Sequence, residues 1–422
     1  MIGTGIFTSL GFQVMALSSG LSLLFLWLLG GVSALIGALV YAELGTALPR
    51  SGGEYHFLTR LYHPSLGFMA GWISFVVGFA APTAAASIAL GAYLKSVLDM
   101  PAIFLGFRIE KTIALLVLIL ITLLHSTNKR AGANFQSIFS TIKVVTILVL
   151  IGIGLFTSGH QQLDFSLNNR AFSEILSPAF AVSLFFVSFS YSGWNSAAYI
   201  AGEIRNPGKN IPLSLITGTL IVTSLYVLIT YSFLKVIPIS MMEGKIEIGF
   251  LFGEQIFSIN AARIMGLIFS IMLLSTVSAL TLTGPRVTQV MGEDYPGIRW
   301  FGKLSAREIP VRAIMVQSAL AGAYILTSTF EQVITYIGFT LNLFTLLAVM
   351  GLFILRGRQL EGRAVFRMKF HPVLPAIFIL INGWILVYGL IYKPLESFAG
   401  ILTAAAGFLV YYLLKKPDQR SL

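Results

Sequence analysis

The strongest constraint on this chain is a succession of apolar stretches about as long as a bilayer is thick. A helix needs roughly 18 to 25 such residues to cross the hydrocarbon, and lipid offers a backbone no hydrogen-bond partners. The stretches run over residues 21–48, 65–94, 112–124, 138–156, 178–199, 213–236, 261–282, 314–326, 333–355, 373–391 and 398–414. That predicts eleven full spans. Residues 1–17 are apolar too but open on Gly3-Thr4-Gly5, so they read as the second half of a twelfth span. With 56% hydrophobic residues, 11% charged ones and a mean hydropathy of +0.85, too little polar surface remains to coat a soluble body. The expected class is an all-α integral membrane protein.

Lys and Arg number 28 against 17 Asp and Glu. A nucleic-acid binder gathers such an excess on one wet face, whereas here it falls between apolar runs. It therefore reads as a topology signal. With a cytoplasmic N-terminus, nineteen Lys and Arg fall in loops on that side and eight on the other, with Lys143 set aside as intramembrane. The positive-inside rule then places both termini of a multi-pass cell-membrane protein in the cytoplasm. The apolar opening lacks the basic region and cleavage site of a secretory signal. Zero Cys excludes a disulfide-linked subunit, a thiolate metal site and Cys chemistry. Five scattered His offer no metal-ligand spacing, and no metal or cofactor is expected. A membrane-embedded enzyme would need paired carboxylates, a metal cluster or an activated nucleophile inside the spans, and the one deep ionisable group is Lys143.

Two spans are interrupted, at Gly3-Thr4-Gly5 and at Ser190-Tyr191-Ser192-Gly193. Gly5 and Gly193 lie 188 residues apart, and each opens a block of five spans. Small residues in one span alone would suggest close helix packing. Broken helices at matching places in two halves point instead to an inverted-repeat transporter. The blocks are 1–158 and 175–356, followed by two accessory helices within 372–415.

Three strings carry a resemblance. Ile2-Gly3-Thr4-Gly5-Ile6-Phe7, the run from Tyr41 to Tyr55 (YAELGTALPRSGGEY), and Phe189-Ser190-Tyr191-Ser192-Gly193-Trp194-Asn195 followed by Gly202-Glu203-Ile204-Arg205-Asn206-Pro207 resemble the amino acid/polyamine/organocation (APC) transporter superfamily. Within it they look most like the L-type amino acid transporters and their bacterial relatives. The resemblance implies a leucine-transporter-type 5+5 inverted repeat plus two helices. Family members also carry the cytoplasmic half of the first span ahead of the Gly-Thr-Gly break. This sequence starts at the break, so its first span is expected to be incomplete at the N-terminus, with the start residue assigned too far downstream.

The implied substrate is an amino acid, whose carboxylate and ammonium are both costly at the bilayer midplane. Unwinding at the first break frees N–H groups at a helix start, where the dipole also favours an anion, so Thr4, Gly5 and Ile6 are assigned the carboxylate. Unwinding at Ser190 and Ser192 frees carbonyls at a helix end, so the ammonium goes to those near Phe189 and Ser190, with Ile2 opposite. Phe189 resembles the family's aromatic lid, which excludes water. Asn195 offers a donor and an acceptor beside the break, and Thr340 and Asn342 in the tenth span are expected to line the same cavity.

Lys143 lies over 10 Å into the membrane at about 1.5 Å per residue, too deep for easy snorkelling. The resemblance implies a fifth-span Lys in the place of a sodium ion, its ammonium bridging carbonyls near the Gly-Thr-Gly break and the eighth-span hydroxyls Ser275, Thr276 or Ser278. Sodium coupling is then not expected, and proton coupling and exchange both stay open. Glu43, Glu203 and Arg286 read as caps and ion pairs at the inward gate, and His56, His63 and His125 sit at the same interface. No carboxylate or Arg is expected near either break, which suits a neutral L-amino acid. The alternative is a cationic amino acid or polyamine carrier. Oligomeric state leaves no mark in the sequence.

Overall fold

The computed structural model describes residues 1–104, 107–127, 133–157, 164–358 and 366–414. Six of the topology-setting residues, Lys129, Arg130, Arg363, Lys415, Lys416 and Arg420, lie outside them. The chain opens with a 3-10 turn, Gly5–Phe7, and the short helix α1, Leu10–Gln13. There follow α2 (Gly20–Ala47), α3 (Glu54–Leu61), α4 (Pro64–Ile73), α5 (Ala80–Val97), α6 (Ile109–Thr127), α7 (Ala133–Phe156), α8 (Asn169–Ile175) and α9 (Pro178–Tyr191). The second half comprises α10 (Ser196–Tyr199), α11 (Pro207–Val236), α12 (Ile239–Met242), α13 (Ile248–Ile256), α14 (Ile259–Asp294), α15 (Val311–Thr327) and α16 (Phe330–Gly357). Two last helices, α17 (Val373–Tyr392) and α18 (Pro394–Leu413), close the chain.

Each of the eleven apolar stretches carries a helix. Among the described residues nine helices are long and apolar enough to cross a membrane, counting α4 and α5 as one continuous span, Pro64–Val97. The bent pair α8 and α9 makes a tenth when counted as one span, and α15 is a shorter apolar helix. The ends are set by local chemistry. Ser19, Ser177 and Ser258 each accept from a backbone N–H of the turn they precede, and Thr329 with Gln332 forms a reciprocal capping box. Pro64, Pro178, Pro207 and Pro394 stand in the first helical turn, where a missing N–H is harmless.

Three details depart from a plain run of helices. Ser74–Phe79 forms a π-turn between α4 and α5, with the Val76 carbonyl taken by the Tyr324 hydroxyl at 3.3 Å. The bend in the sixth span is 64° between α8 and α9, ahead of the predicted break. A two-residue strand pair, β1 (Ile103–Phe104) and β2 (Phe107–Arg108), joins α5 to α6, a small exception to an all-α chain.

The centre of the bundle holds large, fully buried rings, among them Trp27, Tyr41, Tyr93, Tyr191 and Tyr226. Outward faces are apolar as well: Leu116, Leu120 and Leu123 on α6, Leu380 and Val387 on α17, and Leu402 and Leu409 on α18 are exposed. Helices apolar all round suit a lipid surface.

Candidate functional site

The two breaks meet. A Cβ added to Gly5 would lie 2.2 Å from Ser190 Oγ and 2.6 Å from its Cα, so only glycine lets the first break rest on the end of α9. Ser9 Oγ and Ser190 Oγ are 3.3 Å apart. The Tyr226 hydroxyl of α11 stands 3.0 Å from the Met1 carbonyl and 3.2 Å from that of Ser190, so one donor serves both breaks. Tyr93 of α5 donates to the Phe7 carbonyl at 3.0 Å and accepts from Gly249 N–H. Buried rings from two helices thus hold an irregular backbone that helical hydrogen bonds cannot hold.

Thr4, Gly5 and Ile6 are buried. Among the described residues no backbone carbonyl accepts from their N–H groups, as at any helix start. Ile2 is half-buried beside them. On the facing side α9 ends at Tyr191, Ser192 turns extended with ψ 144°, and Gly193 adopts φ +89°, a left-handed value that favours glycine. Ser192 N–H closes the last turn on the Phe189 carbonyl at 3.0 Å. The break therefore begins at Ser192 rather than at Ser190, and Phe189 and Ser190 stay helical and buried. Their carbonyls keep spare lone pairs, since each oxygen can accept twice.

Lys143 is 3% exposed and its Nζ donates to Thr276 Oγ1 at 2.8 Å, tying α7 to α14. Of the three hydroxyls offered by the sequence, Ser278 instead meets His125 Nε2 at 2.8 Å, and Ser275 is wholly buried with its Oγ unpartnered. His125 is thus buried in the last turn of α6.

Asn195 corrects one expectation, that no carboxylate lies near either break. Its Nδ2 donates to Glu54 Oε1 at 2.7 Å, and the Tyr41 hydroxyl donates to the same oxygen at 2.7 Å. Glu54 heads α3, outside every apolar run, and reaches Asn195 because α3 folds back against the bundle. Asn342 takes a separate position: its Nδ2 donates to Ser188 Oγ at 3.4 Å. It lines a cavity of about 40 Å³ with Ser33, Ser188, Asn382 and other residues, among them Tyr191 and Trp194 on either side of the sixth-span break, big enough for two or three waters. None of residues 1–9 lines that cavity, and Thr340 is buried with its hydroxyl on its own helix, donating to the Tyr336 carbonyl at 2.7 Å.

Glu43 is wholly buried and accepts from Arg356 Nε at 2.8 Å, Arg356 Nη2 at 2.7 Å and Met368 N–H at 2.8 Å. The structural reading of Glu43 fits this geometry. Glu203 and Arg286 are exposed, and among the described residues neither forms an ion pair. No group of three or more His, Cys, Asp or Glu able to hold a metal occurs among the described residues.

Comparison with known proteins sets the site in a family. The amino acid permease profile matches residues 1–412. The chain is 28% identical to the human b(0,+)-type amino acid transporter 1 over 98% of this chain and 84% of that protein. It is 27% identical to the serine/threonine exchanger SteT of Bacillus subtilis, over 99% and 94% respectively. It is 24% identical to the mouse Asc-type amino acid transporter 1, over 98% and 78%. With breaks in contact, a buried intramembrane Lys and a family match along nearly its whole length, the chain belongs to the amino acid permease family of the APC superfamily and is a membrane transporter of amino acids, not an enzyme.

Proposed function

We propose that this transporter carries neutral L-amino acids across the cell membrane by alternating access, as an exchanger or a proton-coupled symporter, with both termini in the cytoplasm. The observation that carries the reading is the contact of Gly5 with Ser190, which brings unpaired N–H groups and helix-end carbonyls to one place in the membrane. A zwitterion needs both. Its carboxylate would sit on Thr4, Gly5 and Ile6, and its ammonium against the carbonyls of Phe189 and Ser190 with Ile2 beside it. Phe189 would cover it, while Ser192 and Gly193 supply the turn that lets the following segment swing. Lys143 on Thr276, with Ser275 adjacent, would brace α7 against α14 as the site changes access. Asn342 would act from the neighbouring cavity.

A 5+5 arrangement over 1–158 and 175–356, with accessory helices within 372–415, is part of the same proposal. It is supported by contacts between counterpart elements of the two halves: the first 3-10 turn with α9, α2 with α11, α5 with α14, and α6 with α15. A two-fold axis in the membrane plane brings counterparts together in this way. Relatives named as a serine/threonine exchanger and a large neutral amino acid transporter subunit support the neutral class. A cationic substrate is favoured by one observation, the Glu54 carboxylate beside Asn195.

The test is uptake of a panel of labelled amino acids into proteoliposomes, with and without a pH gradient and with internal amino acid. Neutral substrates are expected to enter, faster against internal substrate for exchange or under an inward proton gradient for symport. Uptake confined to arginine, lysine or polyamines would overturn the neutral assignment.

A further inference from the structure

Three carboxylates are buried around the start of α3: Glu43 in the last turns of α2, Asp294 at the end of α14 and Glu54 at the head of α3, at 0%, 4% and 5% exposure. Glu43 faces Arg356, and Asp294 faces Arg50 at 3.2 Å and the Tyr55 hydroxyl at 2.6 Å. Among the described residues Glu54 forms no ion pair and meets neutral donors, the Tyr41 hydroxyl and the Asn195 amide. Such an arrangement has a directional consequence. A carboxylate oxygen that accepts from Asn195 fixes which end of the amide faces it, and the carbonyl end must face elsewhere.

The backbone position of Asn195 sharpens this. It is the residue before α10, where an asparagine ordinarily turns its carbonyl oxygen onto the first free N–H groups of the helix. Here the side chain makes no capping bond. Glu54 holds the amide instead, and among the described residues no donor meets Oδ1, an acceptor just past the sixth-span break on a half-exposed residue.

We infer that Glu54 is a positioning residue that presents Asn195 Oδ1 as an acceptor toward the side chain of the transported amino acid, so that neutral substrates bearing a hydroxyl or an amide are preferred. This rests on the reading of Asn195 as a substrate residue. The ammonium is already served by the carbonyls at Phe189 and Ser190, which leaves Oδ1 for a side-chain donor. An oxygen that can only accept favours a donor over a methyl group of equal size.

L-threonine and L-valine, near-isosteres that differ in a hydroxyl, test this in proteoliposomes. The wild-type protein is expected to show a KM for threonine about tenfold below that for valine, the worth of one well-placed hydrogen bond. Glu54→Gln can present either end of its own amide, frees Asn195 to turn over, and brings the two KM values within about twofold by raising that for threonine alone. Glu54→Asp keeps the acceptor and is expected to retain most of the preference. Where Glu54→Gln fails to fold, Asn195→Leu serves: whatever its effect on uptake overall, the threonine and valine KM values are expected to converge within about twofold, and a ratio kept at the wild-type value overturns the inference. Equal KM values in the wild type, or an equal rise for both substrates in Glu54→Gln, overturn the inference. A wild type that carries no amino acid overturns the functional reading itself, and that arm separates the two failures.

Discussion

Gly5→Ala tests the contact between the breaks. The new Cβ would stand 2.2 Å from Ser190 Oγ, 2.7 Å from its Cβ and 2.6 Å from its Cα, where ordinary contacts begin near 3.4 Å. Rotation of the Ser190 side chain relieves the first clash but not the last. One break must back away from the other by about 0.8 Å, in an interior packed too tightly to absorb it silently. Such crowding costs about 1 to 3 kcal/mol. If that cost falls on the conformation that holds substrate, apparent affinity drops about 5- to 150-fold. The assay is the KM for uptake of a neutral amino acid, alongside Gly152→Ala as a control, since nothing lies within 4 Å of a Cβ there. Adding Ser190→Gly to Gly5→Ala removes the Oγ and Cβ contacts but leaves the Cα one, so partial recovery is expected. A Gly5→Ala protein with a KM within twofold of wild type would refute the claim that these two segments form one site.

Arg356→Gln strands the buried Glu43 carboxylate and should cost about 3 to 5 kcal/mol, read as a lower melting temperature in detergent. Glu43→Gln added to it should recover more than half, and a double variant that melts no higher than the single one would sink the ion-pair explanation. Lys143→Ala should abolish uptake, and Thr276→Val, which deletes the hydroxyl that receives Nζ, should slow it about tenfold. Wild-type uptake by Thr276→Val would show that the hydroxyl braces nothing. Burial first, then Arg50 and Arg60, hold the His56 imidazole down at about 4 from an ordinary 6.5. The folded protein then binds fewer protons than the unfolded chain, so this contribution is whole above pH 6.5 and declines by about 3 kcal/mol as pH falls to 4. His56→Gln should flatten the acid side of a melting-temperature profile, and an unchanged profile would mean another group governs it.

What could be read from the sequence follows from what lipid leaves visible. Bilayer thickness imposes a length on every span, so the bounds of α2, α7, α11 and α16 follow from hydropathy to within a few residues. Inside a span every apolar side chain looks alike, and only the sparse polar ones discriminate. Lys143 was legible because its depth demanded a partner and three hydroxyls stood in α14, but the choice of Thr276 over Ser275 and Ser278 depends on how two helices are rotated. The π-turn at Ser74–Phe79 lies just ahead of Pro82, whose missing N–H deprives the Gly78 carbonyl of its helical partner, a signal that the hydropathy pattern does not show. The Val76 carbonyl in the same turn is taken by Tyr324, 248 residues away, a partner that no local pattern identifies. Glu54 is the instructive miss. It lies only eleven residues past Glu43, in a stretch that hydropathy sets aside as loop, while its partner Asn195 is 141 residues on. A search for site residues confined to the spans cannot find it, because α3 brings the carboxylate to the broken helix from outside the apolar runs. In a chain whose midplane charge is so restricted, a carboxylate that holds an amide beside a broken helix is supplied from outside the apolar runs, where it costs less to hold. Positioning groups in this fold are therefore to be sought at the loops packed beneath the breaks as well as in the breaks themselves.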